Sequence, residues 1–138
     1  MNYLIEALFI GIYTSILSLI INLFKFDINI NINLELFLIG FLKHFTGFFI
    51  GLHKYYCNNN NFIEIKNNNF NYSNEYIISQ SIYEGILFII IGNIFIYLNI
   101  NIKNKIIIYF FIGFILHIIS ENLGYHKYFI LRFCKKKK

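Results

Sequence analysis

Read for apolar and polar positions, the chain falls into four long apolar runs, about 3–24, 34–56, 77–98 and 106–129. The first is interrupted only by Glu6 and small hydroxyl residues, and the second carries Lys43, His44 and His53. The third holds Glu84 and Asn93, and the fourth is apolar to Ile119 and more polar from Ser120. A helix needs about 20 mainly apolar residues to cross a ~30 Å hydrocarbon core, and each run has that length. Helices satisfy their own backbone amides in lipid, whereas a barrel needs at least eight shorter alternating segments. The pattern predicts an all-α integral membrane protein, a four-helix bundle in one domain over 1–138. The first run is expected to be a retained span, since no basic stretch precedes it, Glu6 stands within it and no small-x-small site follows.

Short connections separate the runs. Ile and Asn alternate over 28–33 and again over 98–105, a strand-like period that would let these two loops pair as a ribbon. The Asn-rich stretch 57–76 is expected to be irregular.

Composition strengthens the membrane reading. Of 138 residues 57% are hydrophobic, 20% aromatic and only 14% charged, against about a quarter charged in a soluble domain. The net charge of +5 gathers at the ends of the runs, which argues against a nucleic-acid partner. Abundant Ile, Asn, Phe and Lys with no Pro or Trp match an AT-rich coding sequence, so glycine and histidine positions carry more information than Asn or Ile. Lys54, Lys66, Lys127, Arg132 and Lys135 to Lys138 fall on the side of the termini, and Lys25, Lys103 and Lys105 on the other, with Lys43 snorkelling toward them. The positive-inside rule then predicts both termini in the cytosol.

Residues 37–56 and 110–129 match without gaps at nine of twenty positions, where chance gives about two or three. The identities are Phe37/Phe110, Ile39/Ile112, Gly40/Gly113, Phe41/Phe114, His44/His117, Gly51/Gly124, His53/His126, Lys54/Lys127 and Tyr55/Tyr128. All four histidines fall at matched places. Glu6-Ala7 and Glu84-Gly85 match more weakly at the starts of runs one and three. Two tandem hairpin repeats follow, about 3–57 and 77–130, with a basic tail over 131–138. Both copies would insert the same way round, with a pseudo-twofold axis along the membrane normal.

Gly40, His44, Gly47 and Gly51 form one stripe on the second helix, and Gly113, His117, Ser120 and Gly124 form its counterpart on the fourth. Small residues at this spacing mark a helix-packing face in lipid, so the two spans are expected to cross there and bring His44 to His117. That pair reads either as a hydrogen bond joining helices or as a proton relay, pH switch or metal site. Glu6 is expected to pair with His53 or Lys54, and Glu84 with His126 or Lys127, at the cytosolic boundary. Glu121 and Asn122 replace Phe48 and Phe49 and make the second half more polar. No Glu-x-x-His pattern and no nucleophile elbow is present, so neither a metal, a cofactor nor a catalytic residue is assigned. Cys57 and Cys134 lie near the cytosolic boundary and are expected to be reduced thiols. The terminal lysines read as a cluster attracted to anionic lipid, or as a cytosolic dilysine retrieval signal.

The segments 43–47 and 51–57, KHFTG and GLHKYYC, with the AT-rich composition, resemble small multi-span membrane proteins of giant nucleocytoplasmic DNA viruses. The resemblance implies residence in a host-derived or virion membrane and carries no activity or site residues, while the dilysine signal would return the protein to the endoplasmic reticulum. The leading functional expectation is a structural or partner-recruiting membrane protein in contact with the bilayer, as a homo-oligomer or with another membrane protein. A small channel or proton-conducting protein using His44, His117 and the glutamates comes second, and a membrane metalloenzyme third. Nothing points to a small-molecule substrate.

Overall fold

The computed structural model describes residues 3–24, 31–59, 70–72, 76–98 and 104–136. Four long helices, α1 (Tyr3–Phe24), α2 (Ile32–Phe49), α4 (Ile77–Tyr97) and α5 (Lys105–Asn122), are each long and apolar enough to cross a membrane. Two short helices, α3 (Leu52–Asn59) and α6 (Tyr125–Phe133), extend α2 and α5. Strand β1 (Phe70–Tyr72) pairs antiparallel with β2 (Cys134–Lys136), Asn71 standing opposite Lys135.

The second and fourth apolar runs are therefore not single straight helices. Each breaks after a last turn, at Ile50-Gly51 and at Leu123-Gly124, where the glycines take φ of +83° and +69°. Only glycine enters that region without strain. Gly51 and Gly124, expected on a packing stripe, are instead hinges with open space where a Cβ would stand. Two corrections concern the loops. Part of the stretch expected to be irregular is strand β1, and it is paired with the basic tail. The proposed Ile/Asn ribbon falls largely outside the described residues, but at its described ends Asn31 and Asn104 cap helices, each side chain accepting a backbone N–H two residues on (3.0 Å in both).

The bundle is apolar outside and polar inside. Ile5, Phe9, Ile12 and Ile16 of α1 and Ile78, Ile82, Ile86, Ile90 and Ile94 of α4 are exposed, while Thr14, Ser18, Glu35, Gln80, Ser81 and His117 are buried. Water favours the reverse distribution, and lipid favours this one, in which ionisable groups face the bundle interior.

The helices interlock across the two hairpins. α1 packs along α5 and α2 along α4, with only slight contact between α1 and α2 or between α4 and α5. This corrects the expectation that the second and fourth spans form the central crossing. The glycines explain the choice of partner. A Cβ on Gly11 would stand 2.9 Å from the Phe110 ring and 3.0 Å from its carbonyl oxygen. A Cβ on Gly85 would stand 2.7 Å from the Phe37 ring and 2.9 Å from its carbonyl oxygen. Gly40 lies against Phe88 and the Glu84 carbonyl, and Gly113 against Thr14 and the Ile10 carbonyl. In lipid such backbone approach supplies the packing that water expulsion cannot. Leu36, Ile39, Phe88, Tyr109, Ile112 and Leu116 form one core cluster at this level.

Gly11→Val and Gly85→Val are accordingly expected to destabilise the bundle by at least about 1–3 kcal/mol, because the facing atoms include rigid backbone. Gly47→Ala, whose Cβ meets nothing nearer than Leu52 at 3.5 Å, is expected to be neutral or to gain up to about 1 kcal/mol. Thermal unfolding in detergent measures both.

Candidate functional site

One turn beyond the core cluster, toward the hinges, the helices open into a cavity of about 90 Å³, room for several water molecules. Tyr13 of α1, Lys43 and His44 of α2, Glu84 of α4, and His117 and Ser120 of α5 line its sides. Leu52 and His53 of α3 and Tyr125 and Phe129 of α6 close over it. The two hinges thus turn the short helices into a roof.

The polar groups are paired across helices. Lys43 donates to Glu84, and its ammonium also lies 5.4 Å from the Phe88 ring centre. His44 Nε2 is 3.1 Å from Gln80 Oε1, and its Nδ1 is 3.8 Å from Glu84 Oε2. His117 Nε2 lies 3.6 Å from Glu6 Oε2. Tyr13 and Thr46 share a hydroxyl hydrogen bond between α1 and α2, and Thr46 also donates to the Leu42 carbonyl. Each contact removes part of the large cost of holding a charge or polar group away from bulk water.

The structure distributes the sequence-derived candidates differently from expectation. His44 and His117 line the same cavity, but each is held by a residue of its facing helix. Glu6 is found with His117, where His53 or Lys54 was expected, and Glu84 with Lys43 and His44, where His126 or Lys127 was expected. Lys43 turns inward and does not snorkel. Lys54 and Lys127 are exposed on the short helices. The side chain of His126 lies outside the described residues. Of the glycine stripe, Gly40 and Gly113 lie at helix contacts, Gly47 and Ser120 at the cavity, and Gly51 and Gly124 at the hinges.

The His53 ring lies tilted against that of His44, centroids 4.4 Å apart, and against Phe129 at 5.7 Å. Burial, with lesser contributions from His44 and Lys43, pushes its pKa down to about 3. Burial and the nearby Glu84 raise the Tyr125 phenol to about 12. Both roof residues are therefore neutral near pH 7. Among the described residues no cluster of three metal-ligating side chains occurs.

The cysteines are a further correction. Cys57 of α3 and Cys134 of β2 form a disulfide and sit in an apolar cluster with Phe129 and Phe133. Spacing gives no hint of it, since the two lie 77 residues apart and neither falls within the matching segments 37–56 and 110–129. Gln80, Tyr13 and Glu35 were also not singled out from the sequence. Glu35 is almost fully buried near the opposite end of the bundle, with Lys105 Nζ 3.7 Å away. Depth along antiparallel helices is the signal that could have found the pairs, because Lys43 and Glu84 each lie about two turns from the same end of the bundle.

Comparison of the chain with family models, with curated proteins and with solved structures finds no match.

The His53 shift has a defined sign. The folded protein keeps this imidazole neutral down to about pH 3, while the unfolded chain takes its proton near 6.5. Unfolding therefore takes up a proton between those values, so stability is greatest above pH 6.5 and falls as the pH drops. The expected loss is about 2 kcal/mol at pH 5 relative to pH 8, and His53→Leu should flatten the slope of thermal midpoint against pH. For the ion pair, Lys43→Met or Glu84→Leu alone is expected to cost about 3 kcal/mol, and Lys43→Met with Glu84→Leu clearly less than the sum. A double-mutant cycle in detergent reads the difference.

Proposed function

We propose that the chain is a four-span integral membrane protein, made of two tandem hairpin copies, that binds and releases protons at a polar cavity reached from one side of the bilayer. The observation that carries this reading is the placing of His44 and His117 on one cavity, each against an oxygen acceptor on its facing helix. Imidazole is the side chain whose ordinary titration range spans neutrality. The cluster of Leu36, Ile39, Phe88, Ile112 and Leu116 fills the layer below, so the resting bundle would hold protons without passing them across.

The duplication is supported by reciprocal detail. Phe37 on Gly85 mirrors Phe110 on Gly11, and the Phe37–Phe41 ring pair mirrors Phe110–Phe114 at 6.1 and 6.0 Å. Asn31 and Asn104 cap equivalent helices, and Gly51 and Gly124 hinge equivalent turns. In this register Glu6 corresponds to Gln80, one turn from the Glu6/Glu84 match suggested by the sequence alone. One copy then offers a His–carboxylate pair and the other a His–amide pair with Lys43 and Glu84 beside it, so the two half-sites differ in charge.

The other reading is a structural or partner-recruiting role in which the central small-residue face sets assembly. Gly11, Gly40, Gly85 and Gly113 are covered within the chain, which favours the cavity reading over assembly. The excess of Lys and Arg at the cavity end supports both termini in the cytosol, and the sequence resemblance points to a host-derived or virion membrane.

The test is histidine-selective nitrogen NMR on protein in lipid nanodiscs. In a pH series from about 8 down to 4, which covers the ordinary imidazole range and extends below it, the His44 and His117 signals are expected to move reversibly and to vanish in His44→Phe and His117→Phe. Pyranine-loaded liposomes should show no sustained proton flux above the protein-free background. Imidazole signals that do not move across that range would overturn the proposal.

A further inference from the structure

The roof over the cavity is fastened by one covalent bond. α3 and α6 each begin at a glycine hinge, Gly51 and Gly124, whose surroundings hold no atom within 4 Å of a Cβ position. Each contributes wall residues to the cavity, Leu52 and His53 from α3, Tyr125 and Phe129 from α6. Beyond those residues, Cys57 in the last turn of α3 is bonded to Cys134 immediately after α6. The other ties are non-covalent, among them the ring contacts of His53 with His44 and Phe48 and of Tyr125 with Tyr83, the cluster of Phe129 and Phe133 with Phe48 and Ile77, and a three-residue ladder between β1 and β2. Helices of eight and nine residues are not stable on their own in water.

We propose that the Cys57–Cys134 disulfide is a redox latch: oxidised, it holds α3 and α6 over the cavity and keeps its mouth narrow, and reduced, it lets them swing at their hinges and widens the mouth above His44 and His117. This rests on the proton-site reading and on its orientation. With the cavity end in the cytosol, the disulfide faces a reducing compartment, where such bonds are transient and regulatory. The reductant is a small thiol or a dithiol protein. Its thiolate attacks Sγ of Cys134, the less buried of the two, and breaks the S–S bond to release Cys57 as a thiolate that takes a proton. A second thiolate then resolves the mixed disulfide, leaving two protein thiols and one external disulfide, a two-electron exchange.

Ser120 on the cavity wall gives a reporter. Ser120→Cys is reacted with a charged maleimide in the otherwise native protein and in a Cys57→Ser, Cys134→Ser background, with labelled positions mapped by mass spectrometry. Labelling at least tenfold faster without the disulfide is expected, and equal rates overturn the latch. Should the serine variant not fold, hydrogen–deuterium exchange of the unaltered protein decides. Dithiothreitol should raise exchange over 52–58 and 125–133 and leave the four spans unchanged, and no change over those segments overturns the latch. Equal labelling with titrating histidines removes the latch and keeps the proton site, whereas faster labelling with silent histidines does the opposite. The sequon at Asn71 reports the side independently: a glycan there would put the disulfide in an oxidising lumen as a permanent staple and end the proposal.

Discussion

Phe37 and Phe110 can lie directly on their facing helices because Gly85 and Gly11 leave bare backbone beneath them. In lipid there is no gain from taking apolar side chains out of water, so helix pairs must be held by close contact and by polar groups that find each other. The four long helices use both means. Glycine brings α1 to α5 and α2 to α4, and the short distance between axes then sets Glu6 beside His117 and Gln80 beside His44. Packing and polar pairing are therefore one arrangement: a side chain that widens the glycine contact also separates the groups at the cavity.

Number, length and apolar character of the long helices were legible because lipid imposes a simple rule on each segment separately. The match between residues 37–56 and 110–129 is legible as well, and it points to Gly40 and Gly113, which stand at helix contacts, and to His44 and His117, which stand on the cavity. Partner choice was not. A stripe of small residues says that something approaches closely, but Gly40 gives no indication whether Phe88 or another helix will cover it. Lys43 was misjudged because a lysine near a boundary can reach headgroups as easily as a carboxylate, and only the facing position of Glu84 decides between them. Gly51 was misread for a different reason. Its spacing from Gly47 is the spacing of a packing motif, whereas its use is a positive φ, a property of the backbone that no side-chain pattern encodes. Cys57 and Cys134 met through the folding of two hinges, which local patterns cannot supply.

The cavity has two kinds of wall. Its sides belong to long helices locked by glycine contacts, and its cover belongs to short helices held by a small aromatic cluster and a disulfide. Two kinds of fastening, glycine contact and disulfide, are thus divided along the axis of the bundle, with His53 at the junction, its ring against both His44 and Phe129. A neutral imidazole suits that place, since it can touch the polar network without adding a charge to the cover.

The interlocking of the hairpins bears on how the protein is made. α1 and α2 touch each other little, and each meets its main partner only in the second half of the chain. In a chain that holds only α1 and α2, Gly11 and Gly40 lack the helices that cover them, and the groups of α4 and α5 that meet Glu6, Lys43 and His44 are still to come. The nascent pair must survive in the bilayer in that exposed condition until translation brings in α4 and α5. Two separately synthesised halves would carry the same complementary faces but would have to meet without the effective concentration that one polypeptide supplies.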